Sequence, residues 1–149
     1  MVPRVLLVLV AAVAGMLGAA SAASAAISLR HDAQRAGMRV GMAAEPRYLD
    51  DAGFAPLLAR QANVVTFENA AKWAAVHPSR DRYDFRAADR LARWARDHGM
   101  TMRGHNLLWH LNNPAWLEAL QPTRAEAIAL LREHITTVVR HFRTRFPGL

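Results

Sequence analysis

Two short polar segments carry the side chains that are best suited to binding chemistry. Glu68, Asn69 and Lys72 place a carboxylate, an amide and an ammonium close together, and His105 and Trp109 form a second group further along the chain. Sugar hydroxyls both donate and accept hydrogen bonds, and a Trp face stacks well against the apolar side of a pyranose ring. The two segments together therefore predict a face that binds a polar, ring-shaped ligand of the carbohydrate type.

Each segment also has a plainer interpretation when it is taken alone. Glu68 and Lys72 have the spacing of an ordinary surface ion pair, which contributes little to stability. Trp109 could be a core residue, and His105 could be a buried histidine whose hydrogen bonds are satisfied. The carbohydrate interpretation depends on the occurrence of both segments in one chain.

Other chemistries find little support in the sequence. His105 and His110 lack the spacing of a His-Glu-x-x-His zinc site, and no third metal ligand is evident. Ser79 lies in no Gly-x-Ser-x-Gly elbow, and the absence of Cys excludes thiol chemistry. We therefore expect neither a metal nor another cofactor.

Hydrophobic patterning predicts three strands that alternate with three helices. We expect strands at 38–44, 63–67 and 100–105, and helices at 54–62, at 85–98 and from a capping box at 123–126 onward. This alternation is typical of a parallel sheet with right-handed crossovers. Both polar segments follow predicted strands directly, so we expect them at the same edge of the sheet. The last helix should bury a stripe formed by Ile128, Leu131, Ile135, Val138 and Phe142.

An eight-stranded βα barrel fits this α/β pattern best, because its sites lie at the carboxyl ends of its strands. A complete (β/α)8 (TIM) barrel takes about 250 residues, so these three βα units would form only its first part. A doubly wound open sheet is the alternative, and it would prefer a Gly-rich loop after the first strand. Residues 41–46 supply no such loop, and Pro46 suits a phosphate-binding helix terminus poorly.

The amino-terminal residues have the layout of a secretory signal peptide at 1–25. Arg4 precedes an apolar run at 5–17, and small residues at 20–25 offer two cleavage sites. The run is shorter than the roughly 20 residues that span a bilayer, which favours cleavage over anchoring. We expect residues 26–149 to be secreted, outside the cell or into the periplasm, with no stable membrane anchor.

The formal net charge of +7 raises the question of nucleic-acid binding. It comes from 19 basic and 12 acidic residues, and Lys72 is the only lysine. The arginines are scattered among acidic residues and form no basic run. We therefore expect a solvated surface and no nucleic-acid partner.

A series of motifs runs in order along most of the chain. They are Glu68-Asn69-x-x-Lys72-Trp73, Pro78-Ser79, Tyr83-x-Phe85, Ala88-Asp89, Gly104-His105-x-Leu107-x-Trp109-His110 and Pro114-x-Trp116. Together they resemble the N-terminal part of glycoside hydrolase family 10, the endo-1,4-β-xylanases. The resemblance implies a (β/α)8 barrel that cleaves β-1,4-xylan with retention of configuration.

The resemblance also implies a role for each binding residue. Glu68 and Asn69 would hold the sugar one subsite from the cleavage point, on the non-reducing side. Lys72, His105 and Trp109 would hold the sugar at the cleavage point itself.

The chain departs from the family pattern at two places. Ala71 replaces the usual Met before the lysine, and Leu111-Asn112 stands where Ser-Gln is common. The shorter amide of Asn112 would have to do the work of Gln in binding substrate. These departures weaken the expectation of typical xylan affinity.

The same resemblance indicates what the chain lacks. Retaining glycosidases use two carboxyl groups about 5 Å apart, and the family carries the acid/base in a Trp-Asp-x-x-Asn-Glu motif after the fourth strand. That motif is missing from this sequence, and Glu68 occupies a binding position rather than a bond-cleaving one. We therefore expect a truncated xylanase fragment that is inactive alone. A non-catalytic secreted carbohydrate-binding or interaction module is the alternative.

Overall fold

Three short parallel strands form one sheet in the computed structural model, which describes residues 28–147. Strands β1 (Gly41–Ala44), β2 (Val64–Phe67) and β3 (Thr101–Arg103) are hydrogen-bonded in the order β1-β2-β3. The central strand carries β-branched Val64, Val65 and Thr66, which suit a pleated, covered surface. The predicted parallel sheet is confirmed, whereas the predicted signal peptide at 1–25 lies outside the described residues.

The three predicted helices are present among residues 28–147, and three further α-helices and a 3-10 helix, all short, accompany them. Helix α1 precedes β1, a 3-10 helix at Pro46–Asp50 and α2 follow it, α3 and α4 follow β2, and α5 and α6 follow β3. The bounds are α1 Leu29–Arg35, α2 Phe54–Gln61, α3 Trp73–Val76, α4 Arg86–Asp97, α5 Ala115–Leu120 and α6 Arg124–Arg145. No helix among the described residues is both long enough and apolar enough to cross a membrane.

The core lies between the sheet and the helices that pack on it. Val65 and Phe67 of β2 and Met102 of β3 are buried there, together with Leu58 of α2 and Leu91 of α4. Gly41 allows β1 to approach β2 closely, since a Cβ at this position would lie 2.3 Å from the Val64 carbonyl oxygen. This tight sheet fixes the positions of the loops that leave its carboxyl edge.

The long helix α6 begins at the predicted capping box. Thr123 Oγ1 accepts from the Glu126 backbone N–H, and the Glu126 carboxylate accepts from the Thr123 backbone N–H at 2.8 Å. Its buried residues are Leu130, His134 and Val138, so the predicted stripe was wrong at Ile128, which is exposed. His134 is buried at a position where an apolar helix face would normally carry an aliphatic residue.

Arg30 of α1 fastens the amino-terminal helix to the rest of the fold. Its guanidinium donates to the carbonyl oxygens of Ala59, His98 and Gly99, each at 3.0 Å. Ala59 lies in the last turn of α2, and His98 and Gly99 directly follow α4. One side chain thus satisfies carbonyl groups at the ends of two helices, where a cation is electrostatically favoured.

Candidate functional site

Lys72 lies at the centre of the polar group at the carboxyl edge of the sheet. It immediately precedes α3 and is only 8% exposed. Its Nζ donates to Asn69 Oδ1 at 2.6 Å and stands 4.4 Å from the centre of the Trp109 ring. An ammonium held by an amide oxygen and an aromatic face keeps its charge balanced by local dipoles. The structure therefore brings together three of the predicted site residues, Asn69, Lys72 and Trp109.

The loop after β3 presents Trp109 and is tied to α3. The Asn112 backbone N–H donates to the Trp109 carbonyl oxygen at 2.9 Å, and the Asn112 carbonyl oxygen accepts from the Ala74 N–H at 3.4 Å. Trp109 remains 37% exposed, so it is not a core residue. The Asn112 side-chain oxygen is buried and has no hydrogen-bond partner among residues 28–147.

Two glutamates stand beside this group at the ends of β1 and β2. Asn69 Nδ2 donates to Glu45 Oε1. Glu68 follows β2, and its backbone N–H donates to the Ala44 carbonyl oxygen at 3.3 Å. No ion pair joins Glu68 to Lys72 in the part of the chain that the structure describes, so the surface-pair interpretation was wrong. Glu68 directly follows β2, and Asn69 comes next along the chain.

His105 follows β3 on the side of the sheet that faces α6. It is exposed and joins Asn106 through a cis peptide bond. With Phe67, Val138 and Phe142 it lines a cavity of about 370 Å³. No hydrogen bond links His105 to Lys72 or Trp109 within the described residues.

A layer of buried rings supports the loops below the site. Trp73 stacks on His134 with ring centres 4.2 Å apart, and His77 stacks on Tyr83 at 3.8 Å. Trp116 Nε1 donates to the His77 carbonyl oxygen at 2.9 Å, which ties α5 to the end of α3. Burial lowers the pKa of His77, and burial together with the neighbouring His77 lowers the pKa of His134 to about 4. Both rings are therefore neutral near pH 7.

Glu45 is the residue of this site that the sequence interpretation missed. It follows β1 directly, as Glu68 follows β2 and His105 follows soon after β3. The rule that polar residues at strand ends share one edge would have included it, had it been applied to all three strands. No group of three His, Asp or Glu side chains in residues 28–147 could hold a metal ion.

Three consecutive βα units with their polar residues at the carboxyl edge define part of a (β/α)8 barrel. A family model, glycosyl hydrolase family 10, matches residues 28–147. The match spans well over half of the chain, and the chain therefore belongs to glycosyl hydrolase family 10.

Similar proteins are xylanases of greater length. The chain is 34% identical over 122 residues to endo-1,4-beta-xylanase B of Thermotoga neapolitana, covering 80% of this chain and 35% of that protein. It superposes on xylanase 10B of Thermotoga petrophila in complex with xylobiose with a TM-score of 0.75 and 34% identity, covering 78% and 36% of the two chains. The chain thus spans about a third of the length of these relatives.

A third comparison bears on where such proteins work. A mutant of the intracellular xylanase TsXylA of Thermoanaerobacterium saccharolyticum, in complex with xylotetraose, has a TM-score of 0.72 and 34% identity. The alignment covers 80% of this chain and 39% of that one. Similarity to xylanases therefore does not by itself decide between export and retention in the cell.

Proposed function

We propose that residues 28–147 form the glycone-side half of the substrate cleft of a retaining endo-1,4-β-xylanase. The observation that carries this proposal is the contact of the Lys72 ammonium with both the Asn69 amide and the Trp109 ring. The similar xylanases, and their complexes with xylobiose and xylotetraose, support xylan as the substrate class.

The side chains of the site have complementary roles in this proposal. The exposed Trp109 face packs on the apolar side of a xylose ring, and the ammonium of Lys72 donates to its hydroxyls. Asn69 has one amide hydrogen and one oxygen lone pair left for a neighbouring sugar. Glu68 accepts from hydroxyls of that sugar, and His105 and Asn112 border the cleft. Each group positions the polysaccharide, and none of them breaks the glycosidic bond.

We propose that the chain alone does not hydrolyse xylan. Retention requires one carboxyl group as acid/base and a second as nucleophile, about 5 Å apart across the scissile bond. The two carboxylates at this edge are Glu45 and Glu68, and the Asn69 amide engages Glu45. A carboxylate that accepts a hydrogen bond from an amide is better suited to binding substrate than to protonating a leaving group.

The test combines binding and turnover on the full chain. We expect xylotriose to perturb the indole signal of Trp109 in an NMR titration and Trp109→Ala to weaken binding at least about tenfold, which is about 1.4 kcal/mol. Leu111→Ala is the matched control, because Leu111 lies in the same loop and is 68% exposed. Equal affinity of both variants would refute the proposed cleft.

Turnover is followed as the release of reducing sugar from xylan over hours. We expect none above the background of a heat-treated sample. Release that disappears in Glu45→Gln or Glu68→Gln would overturn the binding-only role and make these carboxylates catalytic. The same assay separates an inactive cleft from an enzyme in its own right.

We also propose that the chain is exported. Arg4, the apolar run at 5–17 and the small residues at 20–25 support this, since they match the three regions of a signal peptide. Expression from the full sequence should yield extracellular or periplasmic protein that begins near residue 26, as read by amino-terminal sequencing. Protein that stays in the cytoplasm with residue 1 intact would contradict the export proposal.

A further inference from the structure

Glu45 at the end of β1 touches the proposed cleft but belongs to none of the motifs that match the family. We infer that Glu45 is a positioning residue, which fixes the orientation of the Asn69 amide for binding an uncharged xylo-oligosaccharide. The inference deepens the proposed function and rests on it. With Glu45, residues that follow all three described strands would contribute to the cleft, and not only those that follow β2 and β3.

The first argument is electrostatic. The Asn69 amide lies between a carboxylate and an ammonium: its Nδ2 donates to Glu45 Oε1, and its Oδ1 accepts from Lys72 Nζ. Rotating the amide by half a turn would point its oxygen at the carboxylate and its hydrogens at the ammonium. Both contacts would then be repulsive, so the two charges select one orientation. Lys72 alone would favour that orientation, and Glu45 makes it exclusive.

The second argument concerns the backbone that carries Glu45. The preceding residue, Ala44, pairs with Phe67 in the sheet, and the Glu45 carbonyl oxygen accepts from the Tyr48 N–H at 3.0 Å. Buried Pro46 begins the 3-10 helix directly after it. A side chain between a strand and a fixed turn starts from a defined position, which a positioning group requires.

The third argument concerns competition for the carboxylate. The nearest cation in sequence is Arg47, whose guanidinium donates to the Tyr48 hydroxyl at 3.4 Å and lies over the Tyr48 ring at 5.2 Å. Arg47 and Glu45 form no ion pair within the described residues and attract each other only at longer range. The Glu45 carboxylate therefore remains directed at Asn69, and a chain of contacts runs from Glu45 through Asn69 and Lys72 to Trp109.

The test uses Glu45→Gln in the full chain, because Gln keeps the size of the side chain and can present either an oxygen or an amide to Asn69. Glu118→Gln is the control, since Glu118 is an exposed glutamate on α5. The probes are the side-chain NH₂ signals of Asn69 in ¹⁵N-labelled protein and the affinity for xylotriose. We expect these signals to shift in Glu45→Gln and to keep their parent positions in Glu118→Gln. Xylotriose affinity should fall about three- to tenfold, as expected when a charged hydrogen bond becomes a neutral one.

The outcomes separate this inference from the proposed function. If the parent chain binds xylotriose and Glu45→Gln leaves both affinity and the Asn69 signals unchanged, Glu45 has no positioning role. If the parent chain does not bind xylotriose, the proposed cleft fails, while the Asn69 signals still decide whether Glu45 orients the amide. A loss of affinity without any change in the Asn69 signals, or with lowered thermal stability, would overturn positioning in favour of a general structural effect.

Discussion

At the scale of single residues, His134 is the most unusual buried group. It is fully buried in α6, stacks on Trp73, and lies near His77 and Tyr83 with ring centres 6.3 Å away in both cases. Neither ring nitrogen has a hydrogen-bond partner among residues 28–147. The Leu107 backbone and the adjacent Glu133 carboxylate favour the cation, but burial and the neighbouring His77 outweigh them. The folded chain therefore favours the neutral form of this imidazole.

We predict that acid weakens the fold through His134. Its folded pKa of about 4 is below the ordinary 6.5, so between these values the unfolded chain binds a proton that the folded chain does not. The contribution of His134 to the free energy of unfolding is complete above pH 6.5. It falls by about 3 kcal/mol as the pH drops toward 4. Urea unfolding at a series of pH values should show a smaller loss for His134→Phe, with a residual slope from His77.

The control for this prediction is His98→Phe. His98 also stacks on a tryptophan, Trp94, with ring centres 4.3 Å apart, but it is exposed. The control variant should keep the pH dependence of the parent chain. An unchanged slope in His134→Phe would show that the buried imidazole does not carry the acid sensitivity.

The site residues differ in how far the sequence could predict them. Asn69, Lys72 and Trp109 could be grouped in advance, because they follow neighbouring parallel strands and such strand ends share an edge. Glu45 follows the same rule at β1, but the end of β1 was considered only as a phosphate loop. The burial of the Asn112 side chain depends on the path of an irregular loop, which no sequence period encodes.

At the scale of elements, the strands and the three longest helices could be predicted within a few residues, whereas the short helices α3 and α5 were not predicted. Their order was clear because β-branched strands alternate with helices that have definite ends, such as the capping box at Thr123 and the left-handed Gly99 after α4. The face of α6 could not be predicted as well. A helix with apolar residues on two sides leaves its orientation open, and the rings of Trp73, His77 and Tyr83 cover the side that contains His134.

We predict that the three-way hydrogen bonding of Arg30 stabilises the helix ends it joins. Lysine carries the same charge but cannot reach three carbonyl oxygens with one planar fork, so Arg30→Lys should lower the free energy of unfolding by about 1 to 2 kcal/mol. Thermal unfolding followed by circular dichroism measures this loss. Arg35→Lys, at an exposed position of the same helix, should change little. Equal stability of the two variants would mean that Arg30 contributes no more than a surface charge.

At the scale of the whole molecule, both outer strands of the described sheet have an open edge. Beside β1, the exposed side chains of Leu29, Met42 and Leu57 line a cavity of about 220 Å³. Beside β3, the larger cavity next to His105 is lined by Phe67 and Phe142. Unpaired strand edges next to apolar side chains favour association with other chains.

We predict that the chain associates with itself as its concentration rises. Met42→Lys places a charge in the β1 edge and should reduce the increase of the sedimentation coefficient with concentration. Met38→Lys is the matched control, because Met38 lies before the strand and is 64% exposed. A parent chain that sediments as a monomer at every concentration would contradict the predicted self-association.

The burial of Lys72 beside the Trp109 ring has a practical consequence. It is the single lysine of the sequence, so reductive methylation with ¹³C-formaldehyde would label its Nζ and otherwise only the α-amino group. With the indole centre 4.4 Å away, ring currents should shift those methyl resonances upfield. One isotopic label would thus report occupancy at this position without a genetically introduced probe.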